Sequence, residues 1–143
     1  MQVILDTGPW VALIDRSESR HLECVDWLES FSGKIYSTEP VLTEVLYLLN
    51  FSTKAQLAAI DFILMSVVEI IPSDMESYRR SRQLMMKYSD LPMDYADATL
   101  VSLSENTGIE NIATFDRKDF SVYRISKNRS FTLFPEHKLA AKP

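Results

Sequence analysis

The chain has 143 residues, 46% of them hydrophobic and 24% charged, which are the proportions of a single globular domain with a full core and exclude a disordered or fibrous chain. Its net charge of −5 argues against a generally basic nucleic-acid binder. A single cysteine, Cys24, excludes an internal disulfide, and two histidines, His21 and His137, do not make a zinc cluster.

The first residues form an apolar, strand-like run over 3–5 ("VIL") with no basic leader, so no signal peptide is expected. Asp6 follows at the strand's end. Thr7, Gly8 and Pro9 then read as a turn into a helix, with Thr7 as N-cap and Pro9 near the first helical position. Taken alone, Asp6 does no more than support that cap. Leu22, Val25, Trp27, Leu28 and Phe31 mark a helix that carries Cys24 on an amphipathic surface. A strand over 35–37 ("IYS") leads into a second helix marked by Val41, Leu42, Val45, Leu46 and Leu49.

Residues 55–65 form a helix that is apolar nearly all round, and it requires either burial on both sides or a subunit interface. The longest apolar stretch, "AQLAAIDFILMSVVEII", is interrupted by Asp61, Ser66 and Glu69 and is too broken to span a membrane. A strand over 67–71, a helix with Tyr78, Leu84 and Met85, and a helix with Ala98, Val101 and Leu103 ending before Gly108 come next. Strands over 111–115 ("NIATF") and 131–134 ("FTLF") complete the pattern. Between them "RKDFSVYRISKNR" holds Arg117, Lys118, Arg124, Lys127 and Arg129 against Asp119, either a solvated edge or a phosphate-contacting patch.

Strands alternating with helices predict an α/β fold, a central parallel sheet covered on both faces as a three-layer α/β/α sandwich. That connectivity fixes where four acids fall. Asp6 and Asp116 each follow a strand, at its C-terminal end. Glu44 lies one turn into the helix after strand 35–37, and Asp97 opens the helix that must run back to feed strand 111–115. All four therefore meet on the C-terminal rim of the sheet, where open α/β sheets bind ligands.

Each acid has an ordinary structural reading. Asp94 and Asp97 in "PMDYADATL" resemble an N-cap and its partner acid, and Asp116 suits an Asx-turn. Glu44 is harder to set aside. It sits among Val41, Leu42, Val45, Leu46 and Leu48 with no Lys or Arg three or four residues away. Four uncompensated carboxylates on one rim repel one another, and a divalent cation relieves that repulsion. An all-oxygen donor set without Cys or His selects Mg2+, with Mn2+ as the alternative, and suits phosphodiester hydrolysis.

Four stretches in order resemble the PIN-domain family and, within it, the VapC-type toxin ribonucleases of type II toxin–antitoxin systems. They are "ILDTGPWVALID", "TEPVLTEVLYLL", "LPMDYADATLVSLSE" and "IATFDRKDFSVYR". The resemblance covers residues 1–135, leaving 136–143 as a C-terminal tail. It implies a Mg2+-dependent endoribonuclease with Asp6 and Asp97 as principal metal ligands and Glu44 and Asp116 completing an acidic catalytic pocket. Thr7 is then a hydroxyl contact near the metal or phosphate, Asp94 a supporting acid, and Asp119 a rival to Asp116 for the fourth position. Arg117, Lys118 and Arg124 are candidate RNA contacts. The resemblance further implies an RNA substrate, a cognate antitoxin, a homodimer, a cytoplasmic location and no membrane.

Three other readings compete. A phosphatase of the haloacid-dehalogenase type needs a second acid at position 8, where this chain has Gly8. A receiver domain carries its phospho-acceptor after the third strand, and "VVEIIPSD" fits that poorly. A PIN scaffold that binds a protein or RNA partner without cutting it is the non-enzymatic alternative.

Overall fold

The computed structural model describes residues 1–136, so His137 and the rest of the expected tail lie outside the described residues. Strand β1 (Gln2–Leu5) buries Val3, Ile4 and Leu5 completely, as expected of a parallel strand covered on both faces. It pairs in parallel with β2 (Lys34–Ser37) on one side and β4 (Asn111–Ala113) on the other. The short β3 (Glu69–Ile70) lies outside β2, and β7 (Thr132–Phe134) outside β4. The result is one parallel five-stranded sheet, ordered β3-β2-β1-β4-β7.

Helices α1 (Thr7–Ile14) and α2 (His21–Ser30) link β1 to β2, and α3 (Glu39–Leu48) and α4 (Thr53–Leu64) link β2 to β3. Helices α5 (Met75–Lys87) and α6 (Tyr95–Thr107) link β3 to β4, and α7 (Arg117–Val122) leaves β4. A small antiparallel hairpin, β5 (Arg124–Ile125) and β6 (Arg129–Ser130), precedes β7. The first two crossovers move one way across the sheet and the last two the other way. Right-handed connections then lay their helices on opposite faces, giving the expected three layers. The direction reverses between β1 and β4, and that reversal opens a crevice at the C-terminal end of these two strands.

Several local features depart from expectation. Strand β3 is shorter than 67–71 because the N–H groups of Val67 and Val68 both donate to the Phe62 carbonyl, closing the end of α4. Its edge position also removes the receiver-domain reading, whose acceptor needs a strand near the sheet centre. Helix α7 arises where a charged stretch was expected. Helix α4 turns Ala59 into the core and packs Phe62 and Ile63 against it, while Leu57 and Leu64 face outward at 56% and 75% exposure. Among the described residues no helix is long and apolar enough to cross a membrane.

Candidate active site

Asp6 occupies the N-cap position of α1 in extended backbone, but its carboxylate makes no capping hydrogen bond. The helix therefore begins one residue earlier than expected, with Thr7 as its first residue rather than its cap. The Asp6 carboxylate is engaged across the crevice, where Thr114, the residue after β4, donates its hydroxyl to Oδ2 at 2.7 Å. The backbone joins the same strand ends, since the Asp6 N–H donates to the Ala113 carbonyl at 2.9 Å. Thr7 turns the other way and donates its hydroxyl to Glu44 Oε2 at 2.8 Å. Glu44, without a neighbouring base on α3, thus finds a hydroxyl partner from α1.

Gly8 is required between these contacts. A Cβ there would lie 2.7 Å from Cδ2 of Phe115, the residue between Thr114 and Asp116. The phosphatase reading, which needs an acid at this position, has no room for one.

Asp94 caps α6, accepting the Asp97 N–H at 2.8 Å. The capping reading of this pair is correct, and it directs Asp97 from the first turn of α6 toward the crevice. Asp97 Oδ2 accepts the phenol hydrogen of Tyr123 at 2.9 Å. Asp116 does not abut β4 as expected. The strand ends at Ala113, and Asp116 caps α7 by accepting the Asp119 N–H at 3.1 Å. Carboxylate oxygens of Asp97, Asp116 and Asp119 lie within 4.8 Å of one another.

The electrostatics join these groups into one site. Burial raises the Asp6 carboxyl to about 6, with Glu44 and Asp116 adding to the rise and the donors Thr114 and Thr7 opposing it. Burial also raises Asp97, to about 8, and Asp6, Asp94 and Asp116 push the same way against the Tyr123 hydrogen bond. Asp116 is raised by desolvation and by the adjoining Asp119 and Asp94 carboxylates. The ion pairs among the described residues are Arg20–Glu23, Arg79–Glu76, Arg80–Glu105 and Arg129–Glu110, so none neutralises an acid of the rim.

The chain's residues 3–126 match the PIN domain family model. The chain belongs to the PIN-domain family. A relative from Mycobacterium tuberculosis (strain ATCC 25618 / H37Rv), ribonuclease VapC26, is 25% identical over 135 residues, covering 93% of this chain and 100% of the relative. Among solved structures, the fold is similar to that of M. tuberculosis VapC20, a Sarcin-Ricin loop cleaving toxin, with a TM-score of 0.72, 23% identity and coverage of 77% of this chain and 86% of that one. VapBC2 from Rickettsia felis, bound to a DNA fragment from its promoter, is similar at a TM-score of 0.66 and 18% identity, covering 94% and 99%. A toxin–antitoxin complex from Klebsiella pneumoniae gives a TM-score of 0.63 at 21% identity, covering 84% and 91%.

In this PIN domain the expected acids Asp6, Glu44, Asp97 and Asp116 are drawn onto one rim, together with Asp94 and Asp119. Two residues of the site escaped the sequence reading. Thr114 was absorbed into a strand and Tyr123 into a basic stretch, and each supplies the hydroxyl that an acid accepts. Among the candidate RNA contacts, Lys118 is exposed. Arg117 donates to the Pro135 carbonyl at 3.1 Å, and Arg124 gathers the carbonyls of Ser121, Val122 and Tyr123 at the end of α7. A separate groove of about 1230 Å³ is lined by Arg20, Trp27, Phe31, Phe134 and Pro135 and holds none of the rim acids. The chemistry therefore points to the crevice that gathers the acids.

Proposed function

We propose that this PIN domain is a Mg2+- or Mn2+-dependent endoribonuclease acting as the toxin of a toxin–antitoxin pair, an RNA-cleaving cytoplasmic homodimer restrained by a cognate antitoxin. The observation that carries the reading is the rim itself, a set of carboxylates crowded together with no ion-paired base among the described residues, two of them raised to about 6 and about 8. Such a set is costly for folding alone and fits a divalent cation, because every donor is a hard oxygen. The relative named a ribonuclease, and the neighbours described as toxin–antitoxin complexes, support the activity and the antitoxin partner.

Asp6 and Asp97 would hold the cation, with Glu44 and either Asp116 or Asp119 completing the set. A cation bound there supplies Lewis acidity, lowering the pKa of a water and neutralising charge on the phosphate oxygens. Asp6 and Asp97 must both lose their protons to serve as ligands, so metal affinity rises with pH through about 6 to about 8. Thr7 and Thr114 hold Glu44 and Asp6 in place during this change. Asp94 keeps its Oδ1 on the Asp97 N–H and acts through that cap. Lys118, with the free N–H groups of Arg117 and Arg124, would take backbone phosphates.

Water attacks phosphorus in line and the 3′ oxygen leaves, giving 5′-phosphate and 3′-hydroxyl ends. The competing route through the RNA's own 2′-hydroxyl is commonly served by histidine. Here His21 Nδ1 is engaged with the Ala12 carbonyl at 2.6 Å. The test is end-group analysis of cleaved RNA, with activity abolished by EDTA, restored by Mg2+ or Mn2+, and lost in Asp6→Ala, Glu44→Ala and Asp97→Ala. A 2′,3′-cyclic phosphate, or undiminished cleavage in EDTA, would overturn the mechanism. Tight RNA or partner binding with no cleavage in Mn2+ would instead favour the non-catalytic scaffold.

A further inference from the structure

Tyr123 lies past the end of α7, beyond every acid of the rim in sequence, and its side chain is completely buried. Its ring is held edge-on by Tyr88 and by Phe120, each at 5.1 Å between centroids, and Phe120 rests in turn on Phe131 at 5.6 Å. A tyrosine ring has two side-chain torsions, and this packing fixes both. The hydroxyl is therefore a donor at a set point, and it meets Asp97 Oδ2 at 2.9 Å.

The ordinary account is that a buried phenol needs an acceptor and Asp97 supplies one. Connectivity argues for more. The start of α7 carries Asp116 and Asp119, and its end carries Tyr123, whose backbone N–H donates to the Asp119 carbonyl at 3.0 Å. Through the phenol, the same short helix that presents two carboxylates also grips the third, Asp97, on α6. A carboxylate rotates freely about its last torsion unless something holds it, and a cation site needs that rotation fixed before the ion arrives.

We propose that Tyr123 is a positioning residue, holding the Asp97 carboxylate in register with Asp116 and Asp119 so that the cation site is preformed. The proposal rests on the metal-dependent reading above.

The test measures Mn2+ affinity by titration calorimetry in four proteins: wild type, Tyr123→Phe, Asp97→Asn and Tyr88→Phe. Tyr88 is the control, a buried phenol of the same cluster whose hydroxyl accepts the Arg124 N–H at 2.9 Å rather than donating to Asp97. Tyr123→Phe should weaken Mn2+ binding by about 10-fold or more, the usual loss when a ligand's supporting hydrogen bond is removed. Tyr88→Phe should leave affinity unchanged while losing comparable thermal stability. Equal affinity in Tyr123→Phe and wild type, with binding lost in Asp97→Asn, overturns the positioning role and leaves the metal reading standing. No Mn2+ binding by the wild type overturns both. A further measurement needs no variant to fold. With the tyrosine Cζ carbons labelled in the wild-type chain, saturating Mg2+ should shift the Tyr123 signal, and an unmoved signal refutes the proposal.

Discussion

Replacing Asp6 with Asn should stabilise the metal-free protein by a margin that grows with pH. Asp6 is only 7% exposed, and its carboxyl stands at about 6 when folded against an ordinary value of 3.8. Between these values the folded chain keeps a proton that the unfolded chain has released, so stability falls as pH rises and levels off above about 7. The gap of about two pH units is worth about 3 kcal/mol at ~1.4 kcal/mol per unit. In a chain of this size that amounts to roughly 10 °C in melting temperature. Asp97 is displaced in the same direction up to about 8, but it is only half-buried and water screens part of its effect. Denaturant melts of wild type and Asp6→Asn in EDTA, from about pH 4 to about pH 8, isolate the Asp6 contribution. The difference between the two proteins should be near zero or negative at the acid end and climb toward 3 kcal/mol at the basic end. A constant offset at all pH values would mean that Asn merely packs differently and that the Asp6 carboxyl is not raised by its surroundings.

Millimolar Mn2+ at about pH 8 should raise the melting temperature of the wild type, because a ligand that binds only the folded state stabilises it, and Asp97→Asn should lose most of that response. Cys24 is fully buried with its thiol pushed up to about 11, so thiol reagents should label it only after denaturation; rapid labelling of the native protein would contradict its burial. The α3–α4 hairpin leaves Tyr47, Leu48, Phe51, Leu57, Leu64 and Met65 exposed, and light scattering at roughly tens of micromolar should find a homodimer that Leu64→Glu disperses without unfolding.

The sheet was legible in the sequence because a parallel strand buried on both faces must read as an apolar run, as "VIL" does. The meeting of the acids was legible for a related reason. Once strands alternate with helices, connectivity alone decides which end of the sheet each loop reaches. Short elements were not legible. Helix α7 spans six residues, less than two turns, and owes its start to the Asp116 cap rather than to any periodicity. The same cap moved Asp116 off the strand end that the reading assigned it. The donors to the acids were the least visible. Thr114 and Asp6 are 108 residues apart, Thr7 and Glu44 37, and Tyr123 and Asp97 26, so each pair exists only because separate elements converge in the folded chain.

Those donors also explain an ordering that burial alone gets wrong. Asp6 is the more deeply buried of the two central acids, yet it stands at about 6 while Asp97 stands at about 8. Desolvation is the leading cause in both, so the difference comes from what surrounds each charge. Asp6 accepts the Thr114 hydroxyl, and the adjoining Thr7 backbone N–H also favours its charge, against two acids. Asp97 has one donor, the Tyr123 phenol, against three acids: Asp6, Asp94 and Asp116. The charge at Asp97 is thus less compensated than that at Asp6, and a cation would relieve it more. Neutralising Asp97 should accordingly cost the protein more of its metal-linked stabilisation than neutralising Asp6, although Asp6 lies deeper in the fold.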